Sequence, residues 1–383
     1  MGAAKWRSHP ANSTRSNEIS MSDVSLAPPR RARQTLNVRE IVKEIGPDFV
    51  SSRIIYWSDL LTFAFVGWSA FAIGARAPFG SLLHVVATLV AVFALLRAAL
   101  FIHELSHLKR GRIPGFELVW NLIVGIPLMI PSLMYVGSHM DHHKRMGFGT
   151  NDDPEYAQIA RWSRLRIVTF VVTVALLPLV LPLRWGVLGP LSRLFPPLRR
   201  LVIGKLSTLV INASYVRPMP KGEHCKRWDA QEAAAAVFVW AVFGAVISGW
   251  IPIEWIAQWW IIAGGILSVN QLRTLVAHGY ENEGEMMDAE AQLLDSINLR
   301  GWPILTVLIA PVGLRFHALH HYLPFIPYHS LGLVHRRLLA ELPQNAPYRA
   351  TLRDGVGTLR GIWRNATAPP RARFSASRVA REV

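Results

Sequence analysis

Six runs of this chain approach the roughly 20 apolar residues that a helix needs to cross a bilayer's hydrocarbon core: 54–75, 81–102, 118–136, 167–183, 233–250 and 253–269. Lipid offers the backbone no partners, so such runs must be helical wherever they meet it. With 51% hydrophobic residues in 383, the chain is too apolar for an ordinary soluble protein, yet long polar stretches separate the runs. A mixed membrane and aqueous architecture follows, with at least four runs expected to span. Nothing resembles alternating strands or an internal repeat.

The formal net charge of +16 raises the question of nucleic acid. The basic residues lie in tails and inter-helix segments and form no nucleic-acid module, so anionic headgroups and the positive-inside rule explain them more simply. Residues 1–50 are polar, basic and rich in Pro and Ser, without the apolar core of a secretory signal, and read as a disordered cytoplasmic tail. Residues 51–345 form the membrane domain, and 346–383 read as a basic C-terminal tail, polar from about Ala368 onward. The lone cysteine, Cys225, excludes an internal disulfide and any Cys-rich zinc or iron–sulfur cluster.

The 14 histidines are unevenly spread. They form His103-Glu-Leu-Ser-His107, His139-Met-Asp-His142-His143, a lone His278, and His317-Ala-Leu-His320-His321. A chain of this composition shows HxxHH by chance about one time in fifty, and here it occurs twice. On a helix, positions i, i+3 and i+4 lie near one face, so each box can offer two imidazoles to one metal. Nine such ligands exceed what one ion holds, and imidazole suits iron, zinc, copper and nickel, so a dinuclear site is expected. His9, His84, His224, His329 and His335 stand alone and are assigned no metal role.

Ligands must meet in space, so each connection between boxes crosses the membrane an even number of times. The runs 54–75 and 81–102 form a hairpin that returns His103 to its starting side, which Lys109, Arg110 and Arg112 mark as cytoplasmic. The run 118–136, with Gly125, Pro127 and Pro131, is expected to be re-entrant or interfacial, because one crossing would strand the second box. The runs 233–250 and 253–269 form a second hairpin, with Trp250, Trp255, Trp259 and Trp260 at the far interface, and return His278 to the cytoplasm. Parity leaves 167–183, with Pro178 and Pro182, as half-inserted. The expected fold class is therefore all-α integral membrane: four transmembrane helices in two hairpins, re-entrant or interfacial helices, and a cytoplasmic helical cap carrying the boxes.

The box spacings, the lone histidine before the third box and the two hairpins together resemble the membrane fatty acid desaturase superfamily over about residues 54–342. The stretch His317-Ala-Leu-His320-His321-Tyr-Leu-Pro-Phe-Ile-Pro-Tyr looks like its third box and His139-Met-Asp-His142-His143-Lys like its second. The resemblance implies that His103, His107, His139, His142, His143, His278, His317, His320 and His321 bind two irons. The first box has three intervening residues, as in acyl-lipid, sphingolipid and carotenoid-type members. The acyl-CoA branch carries an asparagine four residues before the lone histidine, whereas here Thr274 stands there and Asn270 lies one turn earlier. Asp141, Asn270, Asp295 and Asn298 are candidates to brace the ligands, with Glu104, Asp152, Asp153 and Glu281 as further polar neighbours.

Removing hydrogen from an unactivated methylene requires an oxidant that a protein does not contain, and two irons with O2 and two electrons supply it. The implied activity is an O2-dependent fatty acid or acyl-lipid desaturase. A membrane hydroxylase or ketolase acting on a carotenoid, sterol or lipid is the alternative, because both begin with the same hydrogen abstraction. The stretch His103–His107 also satisfies HExxH, so a membrane zinc protease is a third reading, although it has no use for the other boxes. Electrons are expected from a separate ferredoxin, rubredoxin or cytochrome b5-type carrier, and the active site and both tails are expected on the cytoplasmic side.

Overall fold

The computed structural model describes residues 50–366, which fall in one compact unit. The expected tail 1–50 lies outside the described residues but for Val50, as does the C-terminal tail beyond 366.

The architecture is helical, with a single two-stranded sheet among the described residues. Helices α1 (Arg53–Arg76) and α2 (Leu82–Ala99) start where the Ser52 and Ser81 hydroxyls accept N–H groups of their first turns. The 77–81 turn between them contains Gly80 at a φ of 78°, a left-handed conformation that suits a residue without Cβ. Small residues dominate the buried sides of both helices, Ala64, Gly67, Ala70 and Gly74 on α1 and Ala87, Ala91 and Ala98 on α2. A Cβ on Gly67 would lie 2.5 Å from Leu95 Cγ, so glycine sets the approach of these helices. Arg97 donates to Asp59 at 2.7 Å, and the Tyr328 hydroxyl donates to the same carboxylate at 2.7 Å. That contact joins the pair to the cap.

Four segments are long and apolar enough to cross a membrane: Arg53–Arg76, Leu82–His107, Arg164–Ser192 and Glu223–Ile247. The expected runs 54–75, 81–102 and 233–250 overlap three of them. The fourth differs, because α11 (Ile253–Leu275), which contains the run 253–269, carries Glu254, Gln258 and Asn270 and falls outside that set. In its place stands 164–192, and it is not one straight helix. It is α6 (Arg164–Thr173), a 3-10 turn (Val174–Leu176), α7 (Leu177–Leu183), a π-helical turn (Arg184–Leu188) and α8 (Gly189–Ser192). Its middle lies against the centre of α11, where Ala175 O would be 3.1 Å from a Cβ on Gly264. Its end lies against the first half of α10 (Glu223–Ile247), where Arg184 pairs with Glu232 at 2.8 Å. A short α9 (Pro196–Leu206) follows.

The run 118–136 is likewise broken: α4 (Phe116–Trp120), a π-helical turn (Asn121–Gly125), a left-handed Met129 and a 3-10 turn (Ser132–Met134). Prolines explain the breaks, and tryptophans repair them. Proline has no N–H, so the carbonyl four residues earlier loses its helical donor. Pro127 leaves Ile123 O open, and the Trp68 indole donates to it at 2.7 Å. Pro131 leaves Pro127 O open, and Trp259 donates to it at 2.8 Å. Pro190 leaves Gly186 O open, and Trp240 donates to it at 3.0 Å.

The cap carries α3 (Phe101–His107), α5 (Ser138–His142), α12 (Ala289–Asp295), β1 (Asn298–Arg300), α13 (Pro303–Ile309), α14 (His317–Tyr322) and α15 (Tyr328–Glu341). Part of the expected C-terminal tail 346–383 is folded onto it. Residues 347–365 form α16 (Pro347–Ala350), β2 (Leu352–Asp354), which pairs in parallel with β1, and α17 (Gly355–Asn365). The physical reason is burial and pairing, since Tyr348 and Thr351 are fully buried and Thr351 O accepts the Asn298 N–H at 2.8 Å.

The proline–tryptophan pairing predicts a specific coupling. Trp68→Phe strands a carbonyl in apolar surroundings and is expected to cost about 1–3 kcal/mol, read as a fall in melting temperature in detergent. Adding Pro127→Ala restores an N–H at the position facing Ile123 O and should recover part of that loss. Strictly additive effects in the double mutant would refute the coupling.

Candidate metal centre

Two sets of imidazoles converge in the cap. His103, His107, His139, His143 and His320 form one, and His142, His278, His317 and His321 the other, with ligand atoms in each set within 4.8 Å of one another. His103 and His107 sit one turn apart on α3, and His139 and His142 sit on α5 with His143 at its end. His278 follows α11 and bridges backbone to Ser296, while the third box forms α14.

The HxxHH spacing explains the division. Positions i and i+4 share a helix face, whereas i+3 and i+4 are about 100° apart. The second box therefore sends His139 and His143 to the first set and His142 to the second. The third box does the reverse, with His317 and His321 in the second set and His320 in the first. Each HxxHH box bridges both sets.

The Nε2 separations test whether a metal fits. In the first set, His107–His139, His139–His143 and His143–His320 are 3.0, 3.0 and 3.1 Å apart. In the second, His278–His317, His317–His321 and His142–His321 are 2.9, 3.1 and 3.2 Å apart. A metal–nitrogen bond near 2.1 Å puts neighbouring ligands about 3.0 Å apart in an octahedron and about 3.4 Å apart in a tetrahedron. Both sets have spacings compatible with a bound metal ion.

Proton placement points the same way. Asp153 accepts from His142 Nδ1 at 2.8 and 2.9 Å, and Glu155 accepts from His139 Nδ1 at 2.7 Å. With Nδ1 protonated, Nε2 carries a lone pair. Lone pairs facing each other at about 3 Å repel unless a cation lies between them. Both nitrogens of His103 are buried without a partner among the described residues, and a cation would satisfy the one that carries the lone pair. Burial, followed by like charge on neighbouring imidazoles, holds His139, His143, His320 and His321 well below the ordinary histidine range, so they stay neutral and ligand-competent. His142 goes the other way: burial pulls it down, but the Asp153 carboxylate overrides this and raises it. Burial pushes Glu155 up to about 7.

The bracing residues differ in part from those expected. Asp295 Oδ2 lies 3.3 Å from His278 Nδ1. Asp141 touches no imidazole and instead holds Lys144 at 2.6 Å and the Tyr215 hydroxyl at 2.6 Å. Its place two residues after His139 turns it to the opposite helix face. Asn298 instead joins α14 to Thr351, accepting the Leu319 N–H at 3.2 Å and donating to the Thr351 hydroxyl at 2.9 Å. Asn270 accepts Arg273 Nε at 3.0 Å. Sequence reasoning missed Glu155 and Tyr135, whose hydroxyl sits 2.8 Å from His139 Nδ1 and donates to Glu155 at 2.9 Å. Glu104 is turned toward α1 and α15, where the Tyr56 hydroxyl and the Tyr328 N–H donate to it. The single histidines keep to their own contacts: His84 Nδ1 is 3.1 Å from Gly74 O, and His335 Nδ1 is 2.6 Å from the Tyr348 hydroxyl.

A cavity of about 360 Å³ adjoins the centre, walled by His103, His278 and His317 together with Leu96, Ile130 and Ile266.

The family model for fatty acid desaturase matches residues 79–352. The chain belongs to the fatty acid desaturase family. It is also similar to a ceramide hydroxylase of Caulobacter vibrioides (strain NA1000 / CB15N), at 39% identity over 335 residues that cover 88% of this chain and 92% of that protein. Membership makes the chain a membrane oxidoreductase of the desaturase and hydroxylase class, and its histidine sets are compatible with metal binding.

Removing a brace should loosen the metal without unfolding the cap. Asp153→Asn and Glu155→Gln are each expected to weaken metal retention about 10- to 100-fold, measured as metal per chain after dialysis against a chelator. Asp141→Asn serves as the control and should retain wild-type metal.

Proposed function

We propose that this protein is an O2-dependent hydroxylase of an acyl lipid, with an N-acyl lipid of the ceramide type as the favoured substrate. The observation that carries the chemistry is the division of nine imidazoles into sets of five and four, which supports two metal ions, and the family match favours iron. Iron held there, supplied with O2 and two electrons, provides the oxidant for an unactivated C–H bond. The choice of hydroxylation over the desaturation expected first rests on the ceramide hydroxylase relative. Desaturation stays the second reading, favoured by the family match. The zinc protease reading is disfavoured because Glu104, which would have to activate a metal-bound water, is engaged by Tyr56 and Tyr328.

The chain's own residues do the rest. Asp153 and Glu155 keep the Nδ1 protons of His142 and His139 in place and aim Nε2 inward. The apolar side of the cavity, formed by Leu96, Ile130, Ile266 and Leu314, accepts methylenes and excludes water from the reacting carbon. The cap faces the cytoplasm, where Lys109, Arg110 and Arg112 are exposed, and a separate carrier delivers electrons there.

Parity supports α1, α2, α10 and α11 as the spanning helices. The segment 164–192 starts beside Leu272 and Leu275 at the cap end of α11. It is deepest at Ala175 beside Gly264 and ends beside Glu232 near the cap end of α10, so it enters and returns on the same side.

The test combines metal and product analysis. Purified protein is expected to hold about two irons per chain, and a host supplied with ceramide should gain a hydroxylated species. His142→Ala and His320→Ala, one from each set, should abolish the product while the protein stays in the membrane. An acyl chain with a new double bond moves the reading to desaturase, and full activity in both variants refutes the metal centre.

A further inference from the structure

The wall of the cavity beside the imidazoles holds a cation that no ion pair accounts for. Arg273, in the last turn of α11, is 8% exposed. Its guanidinium donates to Asn270 Oδ1 at 3.0 Å and Thr274 Oγ1 at 3.3 Å, both from its own helix. No carboxylate lies within ion-pair distance of it among the described residues, whereas Arg184 pairs with Glu232 and Arg217 donates to the carbonyls of Leu133, Val136 and Ser207. Lys205, on the same cavity, spends its ammonium on three backbone carbonyls at 2.9–3.0 Å. The Glu155 carboxylate lines the same cavity beyond ion-pair distance, and a buried cation whose counter-charge is that remote keeps N–H groups for a ligand oxygen.

Arg273 shares its wall with His103, His278, His317 and Asn270. Asn270 uses its side-chain oxygen on Arg273, which leaves its NH2 as a further donor. The same cavity is also lined by apolar Leu96, Ala99, Ile130 and Ile266. It therefore offers methylene contacts together with hydrogen-bond donors from residues that share the lining with the imidazoles of His103, His278 and His317. An acyl chain oxidised in its middle needs apolar surroundings on both sides of the reacting carbon, whereas donors beside the imidazoles suit a carbonyl near it.

We propose that Arg273, supported by Asn270, binds the carbonyl oxygen of the substrate's acyl group, so that oxidation falls on carbons close to that carbonyl. The inference rests on the acyl-lipid reading above and narrows it. Amide, ester and free carboxylate share the required oxygen; the guanidinium fork would favour a carboxylate, whereas a neutral carbonyl needs only one N–H. Arg273 acts here as a specificity-determining residue.

Binding is measured without O2, so that no turnover is required. The full chain in nanodiscs, iron-loaded, is titrated with an N-acyl amide lipid, with the free fatty acid of the same length, and with an N-alkyl analogue that lacks the carbonyl. Wild type is expected to bind one or both carbonyl lipids about 10- to 100-fold more tightly than the analogue, and the tighter of the two names the source. Arg273→Met should lose that preference while keeping wild-type iron, and Arg273→Lys should recover part of it. Equal binding of all three lipids to wild type, or an undiminished preference in Arg273→Met, overturns the proposal. Products formed in air test the oxygenase reading separately, since a chain that prefers carbonyl lipids but oxidises none keeps this inference and loses that one.

Discussion

Lone pairs on buried imidazoles that point at one another from about 3 Å are the constraint around which the cap is arranged. No single element supplies a set. The first draws on α3, α5 and α14, and the second on α5, the segment after α11, and α14. The HxxHH boxes bridge the two sets in opposite senses, so neither set can form without positioning the other. Carboxylates in the 151–155 loop fix the far side of the rings, and the Asn298–Thr351 contacts fix the backbone of α14. The residues that fold back over the cap near the C-terminus therefore belong to the centre's support.

The membrane part has a different constraint. Between the first box and the second the chain turns inside 118–136, where carbonyls freed by proline need donors from elsewhere. The turn is made with prolines, and indoles from α1 and α11 close the open carbonyls. Another indole, Trp185, caps Met129 O at 2.8 Å, beside the left-handed residue of the same turn. Helix packing, backbone satisfaction and box placement are thus one problem with one solution.

Much of this was legible in the residues because helical spacing carries phase. Histidines at i, i+3 and i+4 announce shared faces, and the proline content of 118–136 and 167–183 announces broken helices. The rest was not, for physical reasons. Glu155 lies on a loop, where spacing carries no period, so its reach to His139 had no sequence signal. Asp141 looked like a brace because it stands among ligands, but helical rotation turns it away. Asn298 looked alike, but its side chain instead joins α14 to Thr351. Residues 347–365 carry enough charge to read as tail, and only their pairing with β1 makes them part of the fold. Hydroxylation and desaturation share ligands and first step, so the ligand pattern does not choose between them.

The proline–tryptophan pairs carry a consequence for descent. Each pair joins positions far apart in the chain by a debt that only one kind of partner settles, because few side chains offer a single buried donor without an acceptor. Trp68 with Pro127, Trp259 with Pro131, and Trp240 with Pro190 should therefore be inherited as couples. A lineage that relinquishes the proline frees its tryptophan to drift. One that loses the tryptophan first passes through a less stable ancestor.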